Sequence, residues 1–197
     1  MIVSHVTVKN FKRFREQTFE LHDYIVLAGP NNSGKSTLLQ AVAVWNLARR
    51  KWLEKRGDSS AKTRTGVGIT RQDFTAIPLR EMNLLWTDTS TALSREDADQ
   101  AGKKLGQPRP MVIELGGDDN GTAWVVGFEF VYQNAEMISV RPTASHVESL
   151  KALSVQQFDV VHVPPFPESV PTSRSIRVTT KTCSLAKASP AISSATC

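Results

Sequence analysis

Residues 29–37 of the chain read Gly29-Pro30-Asn31-Asn32-Ser33-Gly34-Lys35-Ser36-Thr37. They fit the phosphate-binding pattern Gly-x4-Gly-Lys-Ser/Thr, known as Walker A. The apolar run Tyr24–Ala28 precedes them and predicts a buried strand, while a helical pattern opens at Leu38. The motif therefore occupies the strand-to-helix turn that a phosphate-binding loop requires.

The spacing of the motif has a physical reason. Glycines at both ends let the backbone curl until successive N–H groups point inward, and the helix dipole adds positive potential. Lys35 is expected to reach the β- and γ-phosphates, and the Ser36 hydroxyl is expected to bind Mg²⁺. The predicted nucleotide-binding residues are Gly29, Asn31, Asn32, Ser33, Gly34, Lys35, Ser36 and Thr37. An ordinary glycine turn with a helix cap is the alternative, and the loop alone does not distinguish ATP from GTP.

The composition is that of one ordinary domain. The chain has 197 residues, 40% of them apolar, and a net charge of +5, which is compatible with a nucleic-acid partner but does not identify one. The sequence shows neither a signal peptide nor an apolar stretch of membrane-spanning length, so a cytoplasmic protein without membrane contact is expected. Cys183 and Cys197 lie in a polar tail and suggest no disulfide framework.

The N-terminal segment predicts strands around a basic turn. Ile2–Val8 alternates apolar and polar residues, and the turn that follows reads Asn10-Phe11-Lys12-Arg13-Phe14. Phe19 and Leu21 supply one or two more strands. This arrangement predicts an antiparallel edge that leads into a buried parallel strand at Tyr24–Ala28.

With this turn about twenty residues ahead of the loop, residues 1–43 resemble the start of the ABC-type, AAA-like ATPases that act with DNA. That group includes the SMC proteins, RecF and the OLD nucleases. The resemblance covers about the first fifty residues. It implies ATP rather than GTP, a role with DNA in repair or in defence against foreign DNA, and a homodimer of the complete parent protein. The alternatives are a transporter ATPase subunit and an inactive nucleotide-binding remnant.

The resemblance also implies catalytic parts that the sequence does not supply. Residues 153–157, Leu-Ser-Val-Gln-Gln, lack the glycines of the family's signature loop, and no strand ends in Asp-Glu. Gln72 is the one candidate for the glutamine that contacts Mg²⁺ and the attacking water. No catalytic residue is identified, so we expect the chain to bind ATP and to hydrolyse it poorly or not at all.

The helix that follows the loop has an apolar stripe and a basic end. Trp45 and Trp52 lie on the stripe and are expected in the core, and Gly57 is expected to end the helix. The basic residues are Arg49, Arg50, Lys51, Lys55 and Arg56. They predict either a solvated end matched to the helix dipole or a patch that faces nucleic acid.

We therefore expect an α/β fold, with a P-loop nucleotide-binding lobe over residues 1–166, an antiparallel β-rich edge and an incomplete C-terminus. Within this lobe, short helices are expected over Leu79–Trp86 and Thr91–Leu105, a hairpin around Gly116–Gly121, and a buried strand over Phe158–Val163. Residues 167–197 predict a disordered tail, since they contain no aromatic residue and a single acid, Glu168. Out-of-frame reading is the other explanation of that composition.

Overall fold

The computed structural model describes residues 2–22, 24–56, 65–75, 77–143, 150, 159–161 and 177–179. The strands are β1 (Ile2–Phe11), β2 (Phe14–Glu20), β3 (Val67–Thr70), β4 (Met111–Asp119), β5 (Thr122–Asn134), β6 (Met137–Pro142), β7 (Asp159–Val161) and β8 (Arg177–Thr179). The helices are α1 (Lys35–Arg56) and α2 (Arg95–Ala101), with short 3-10 helices at Arg71–Asp73, Met82–Leu85 and Thr87–Thr89.

Six strands form one sheet in the order β2-β1-β4-β5-β6-β3, and each of these neighbours pairs antiparallel. β7 and β8 pair separately. The predicted hairpin is confirmed, because β4 and β5 are joined at Asn120 and Gly121, whose φ angles are 53° and 86°. Two consecutive positive φ values match the right-handed twist of the strands, and Asn-Gly adopts them readily.

The sheet has one apolar and one polar face. In β1, Val6 and Val8 are fully buried, whereas Lys9 points to the other face and pairs with Glu16 at 2.7 Å. On the same polar face Arg141 pairs with Glu129 at 2.7 Å. The alternation predicted for the N-terminal strand is therefore confirmed, and its buried side faces α1.

Helix α1 lies on the apolar face, and its tryptophans belong to the core as predicted. Trp45 is fully buried, donates from Nε1 to the carbonyl oxygen of Val126 at 2.8 Å, and meets the Phe128 ring edge-on at 6.1 Å between centroids. Trp52 is 1% exposed. An edge-to-face pair and a satisfied indole N–H are what a buried tryptophan requires.

One of the predicted basic surface residues lies in the core instead. Arg49 is 1% exposed, donates from Nε and Nη2 to Asn46 Oδ1 at 3.3 and 3.0 Å, and lies 5.9 Å from the centre of the Trp45 ring. A guanidinium group is more weakly hydrated than an ammonium group and stacks on aromatic rings, so its burial beside Trp45 costs less. Arg49 is therefore not part of an exposed patch on α1.

The predicted buried parallel strand at Tyr24–Ala28 is wrong. This segment is irregular, and Tyr24 and Val26 are 97% and 87% exposed. An apolar run becomes a central strand only when neighbouring strands satisfy its backbone groups. Among the described strands none pairs with this segment, and every pairing is antiparallel. The described fold is therefore an antiparallel sheet covered by one long helix, without the expected parallel core.

The later elements follow the prediction in outline. The helix expected over Leu79–Trp86 is only the 3-10 turn Met82–Leu85. The helix expected over Thr91–Leu105 is shorter than predicted and corresponds to α2. β7 forms where a buried strand was expected, but Val161 is 47% exposed. The expected tail at 167–197 and the signature-like residues 153–157 lie outside the described residues, except for β8. In the described part of the chain, no helix is long and apolar enough to cross a membrane.

Candidate phosphate-binding site

The loop between the Tyr24–Ala28 segment and α1 has an unusual backbone. Its φ angles are +147° at Gly29, +64° at Asn32 and +100° at Gly34. Glycine adopts such values without penalty, and asparagine is one of the few other residues that tolerate the left-handed region. The loop therefore turns tightly into α1, whose first backbone bond runs from Leu38 N–H to the Gly34 carbonyl at 2.9 Å.

The Lys35 side chain folds back over this loop. Its Nζ donates to the carbonyl oxygens of Gly29 and Pro30, both at 2.6 Å, and to Ser33 Oγ at 3.2 Å. These contacts hold the ammonium group over the turn and fix the curvature of the loop. The structure thus brings the two ends of the predicted motif together around one positive charge.

The loop and the helix start together favour an anion. The first N–H groups of a helix have no acceptor within the helix, and the aligned peptide dipoles place about half a positive charge there. The first turn of α1 contains no acidic residue, and it carries the hydroxyl groups of Ser36 and Thr37. Hydroxyl, ammonium and N–H groups at one helix N-terminus form a suitable set for phosphate and its magnesium ion.

A cleft of about 980 Å³ opens over the loop. Its walls are Arg13, Leu27, the loop residues 31–37 and Leu39, so none of the described lining residues is acidic. Clefts that bind nucleotide-sized ligands have volumes of about 300–1,000 Å³. The cleft therefore has the size and charge for a nucleoside triphosphate.

The β1–β2 turn forms one wall of this cleft. The sequence did not predict this contact between the turn and the loop. A Cβ atom on Gly34 would lie 2.6 Å from Cζ of Phe14 and 3.1 Å from Cδ of Arg13. Lys12 Nζ donates to Gln40 Oε1 on α1 at 2.6 Å, and burial lowers the pKa of Lys12. The turn is thus fixed to both the loop and the helix. The aromatic residues that flank the turn were the only sequence signal for this packing.

The structure does not bring Gln72 to the loop. Gln72 is exposed and lies beside Asp73, which pairs with Lys51 at 2.9 Å. Lys51 is close to the far end of α1, about 24 Å of helix from Lys35 at roughly 1.5 Å per residue. In this arrangement Gln72 cannot contact a magnesium ion held by Ser36.

Asp73 and Lys51 instead join β3 to the end of α1. Asp73 Oδ2 accepts from the N–H and hydroxyl groups of Thr70 at 2.9 and 2.8 Å. Burial acts to raise the pKa of Asp73, but the hydrogen bonds from Lys51 and Thr70 outweigh it and hold the pKa below its ordinary value. The hydrogen bond with Asp73 raises the pKa of Lys51. This cluster is structural.

The N-terminal part of the chain matches one known protein family. The model of the AAA ATPase domain matches residues 1–81, a range that contains β1, β2, the loop, α1 and β3. None of the curated proteins matches the chain. The matched range holds every residue predicted to bind nucleotide. The N-terminal part of this chain is therefore similar to the AAA ATPase domain, and the match supports a nucleotide-binding ATPase of the AAA family.

Proposed function

We propose that the chain binds ATP with Mg²⁺ through residues 29–37. The observation that carries the proposal is the position of Lys35, whose ammonium group is held by the carbonyls of Gly29 and Pro30 at the N-terminus of α1. The match to the AAA ATPase domain over residues 1–81, which include this loop, also supports it.

Each group of the loop has a role in this proposal. Lys35 supplies the positive charge for the β- and γ-phosphates, and the N–H groups of the first turn bind the phosphate oxygens. The Ser36 hydroxyl is the proposed ligand for Mg²⁺, which neutralises phosphate charge when it is bound. Gly34 has no side chain, and its neighbour Phe14 occupies the space that a Cβ would need.

We also propose that the parent activity is that of an SMC/RecF/OLD-like ATPase that acts with DNA, in repair or in defence against foreign DNA, as a homodimer. Support comes from the basic turn between aromatic residues upstream of the loop and from the net charge of +5. DNA binding that weakens steeply with salt is expected, because each neutralised phosphate releases counterions. Binding to membranes instead of DNA would favour a transporter subunit.

Titration with a fluorescent ATP analogue tests the nucleotide site. Lys35→Ala should weaken binding about a hundredfold or more, since a charge-assisted bond contributes about 1.5–3 kcal/mol and Lys35 faces two phosphates. Lys103→Ala is the matched control, because Lys103 is exposed and lies just after α2. Equal affinities of the wild type and the Lys35→Ala variant would refute the proposal.

A further inference from the structure

The β1–β2 turn presents a second cation to the phosphate-binding cleft. Arg13 lines the same cleft as Lys35, Ser36 and Thr37. Its Cδ atom lies 3.1 Å from the position of a Cβ on Gly34, and the residue is exposed. The stem of Arg13 thus packs at the loop while its guanidinium group stays accessible.

The neighbouring cations of this hairpin have partners. Lys9 pairs with Glu16 at 2.7 Å, and Arg15 pairs with Asp88 at 3.3 Å. Lys12 donates to Gln40. Arg13, in contrast, makes no hydrogen bond or ion pair with any residue that the structure describes, and the described residues that line the cleft include no acid.

We propose that the Arg13 guanidinium group is a second phosphate-binding cation of this site and that it favours nucleotides with several phosphates. Guanidinium groups bind phosphate through two parallel N–H bonds, which adds geometric selection to charge. Lys35 binds from the helix side of the loop, and Arg13 approaches from the turn that packs on Gly34. This inference rests on the proposed nucleotide site and adds a residue outside the loop motif.

Displacement of a fluorescent ATP analogue by ATP, ADP and AMP tests the inference. Arg13→Ala and Arg13→Gln should each weaken ATP binding about ten- to a hundredfold, as expected for loss of a hydrogen bond between charged groups. AMP binding should weaken less, so the preference for ATP over AMP falls. Arg13→Lys should restore part of the affinity. The matched control is Arg15→Ala, since Arg15 is exposed on the same hairpin and paired with Asp88.

Two results would overturn the inference. One is wild-type affinity of both Arg13→Ala and Arg13→Gln for ATP. The other is an equal loss for ATP and AMP, which would place Arg13 at the base or ribose. A melting temperature like that of the wild type is expected for each variant, because Arg13 is exposed. If Lys35→Ala also binds like the wild type, the proposed nucleotide site itself fails. If the Arg13 variants bind ATP like the wild type but Lys35→Ala does not, the proposed nucleotide site is retained and Arg13 is not part of it.

Discussion

Replacing Gly34 by alanine should destabilise the protein by about 2–5 kcal/mol. At a φ of +100°, any residue with a Cβ is strained, which costs about 1–2 kcal/mol. The new methyl group would also lie 2.6 Å from Cζ of Phe14 and 3.1 Å from Cδ of Arg13. Forcing a well-packed side chain aside costs about a further 1–3 kcal/mol.

Gly106→Ala is the matched control for the strain alone. Gly106 has a φ of +79°, and a Cβ there meets no atom within 4 Å, so a loss of about 1–2 kcal/mol is expected. Urea denaturation of both variants measures the difference in their free energies of unfolding, provided that m, the slope of that free energy against urea concentration, stays constant.

A second substitution isolates the contact with Phe14. In a Phe14→Leu background, Gly34→Ala should lose less stability than in the wild type, because the two residues touch and their effects are not additive. Two outcomes would contradict the reasoning. In one, Gly34→Ala is no more destabilising than Gly106→Ala. In the other, its cost is unchanged by Phe14→Leu.

Two further substitutions test the core and the end of α1. Trp45→Phe removes the donor to the Val126 carbonyl at 2.8 Å and should lower the free energy of unfolding by about 1–3 kcal/mol in urea titrations; an unchanged value would show that this bond contributes nothing. Asp73→Asn should destabilise the protein at neutral pH. The folded state lowers the pKa of Asp73, so its stabilising effect is present above the unfolded-state pKa of about 3.9 and is lost as the pH falls through the folded-state value. Thermal melting of both proteins from pH 7 to pH 2 should therefore converge in acid, and a constant difference would contradict this assignment.

Local pattern was enough to predict much of the sheet. The alternation in β1 has a period of two, so it indicates both a strand and the face that is buried. Asn120 and Gly121 suit the positive φ values of a two-residue hairpin, which places β4 and β5 side by side. The spacing of Gly29, Gly34 and Lys35 likewise predicts a phosphate-binding loop, since few other structures require that pattern.

The errors arise where distant contacts decide the outcome. Composition cannot show that Arg49 turns inward to Asn46 and Trp45, because a basic residue near the end of a helix is equally compatible with solvent. The packing of Phe14 on Gly34 is also invisible in the sequence, because hydrophobic pattern predicts burial but not the partner. The family resemblance identified the β1–β2 turn and the phosphate-binding loop, but it did not show that they are in contact.

That contact constrains the path of the segment between the turn and the loop. Phe14 begins β2 and Glu20 ends it, so the chain leaves the strand about 20 Å from the turn at roughly 3.3 Å per residue. The loop must then return to Phe14, because Gly34 packs against its ring. The Tyr24–Ala28 segment belongs to this returning connection, and it pairs with none of the described strands. An apolar run is buried as a strand only where neighbouring strands accept its backbone hydrogen bonds, so the apolar pattern of this segment could not by itself predict its burial.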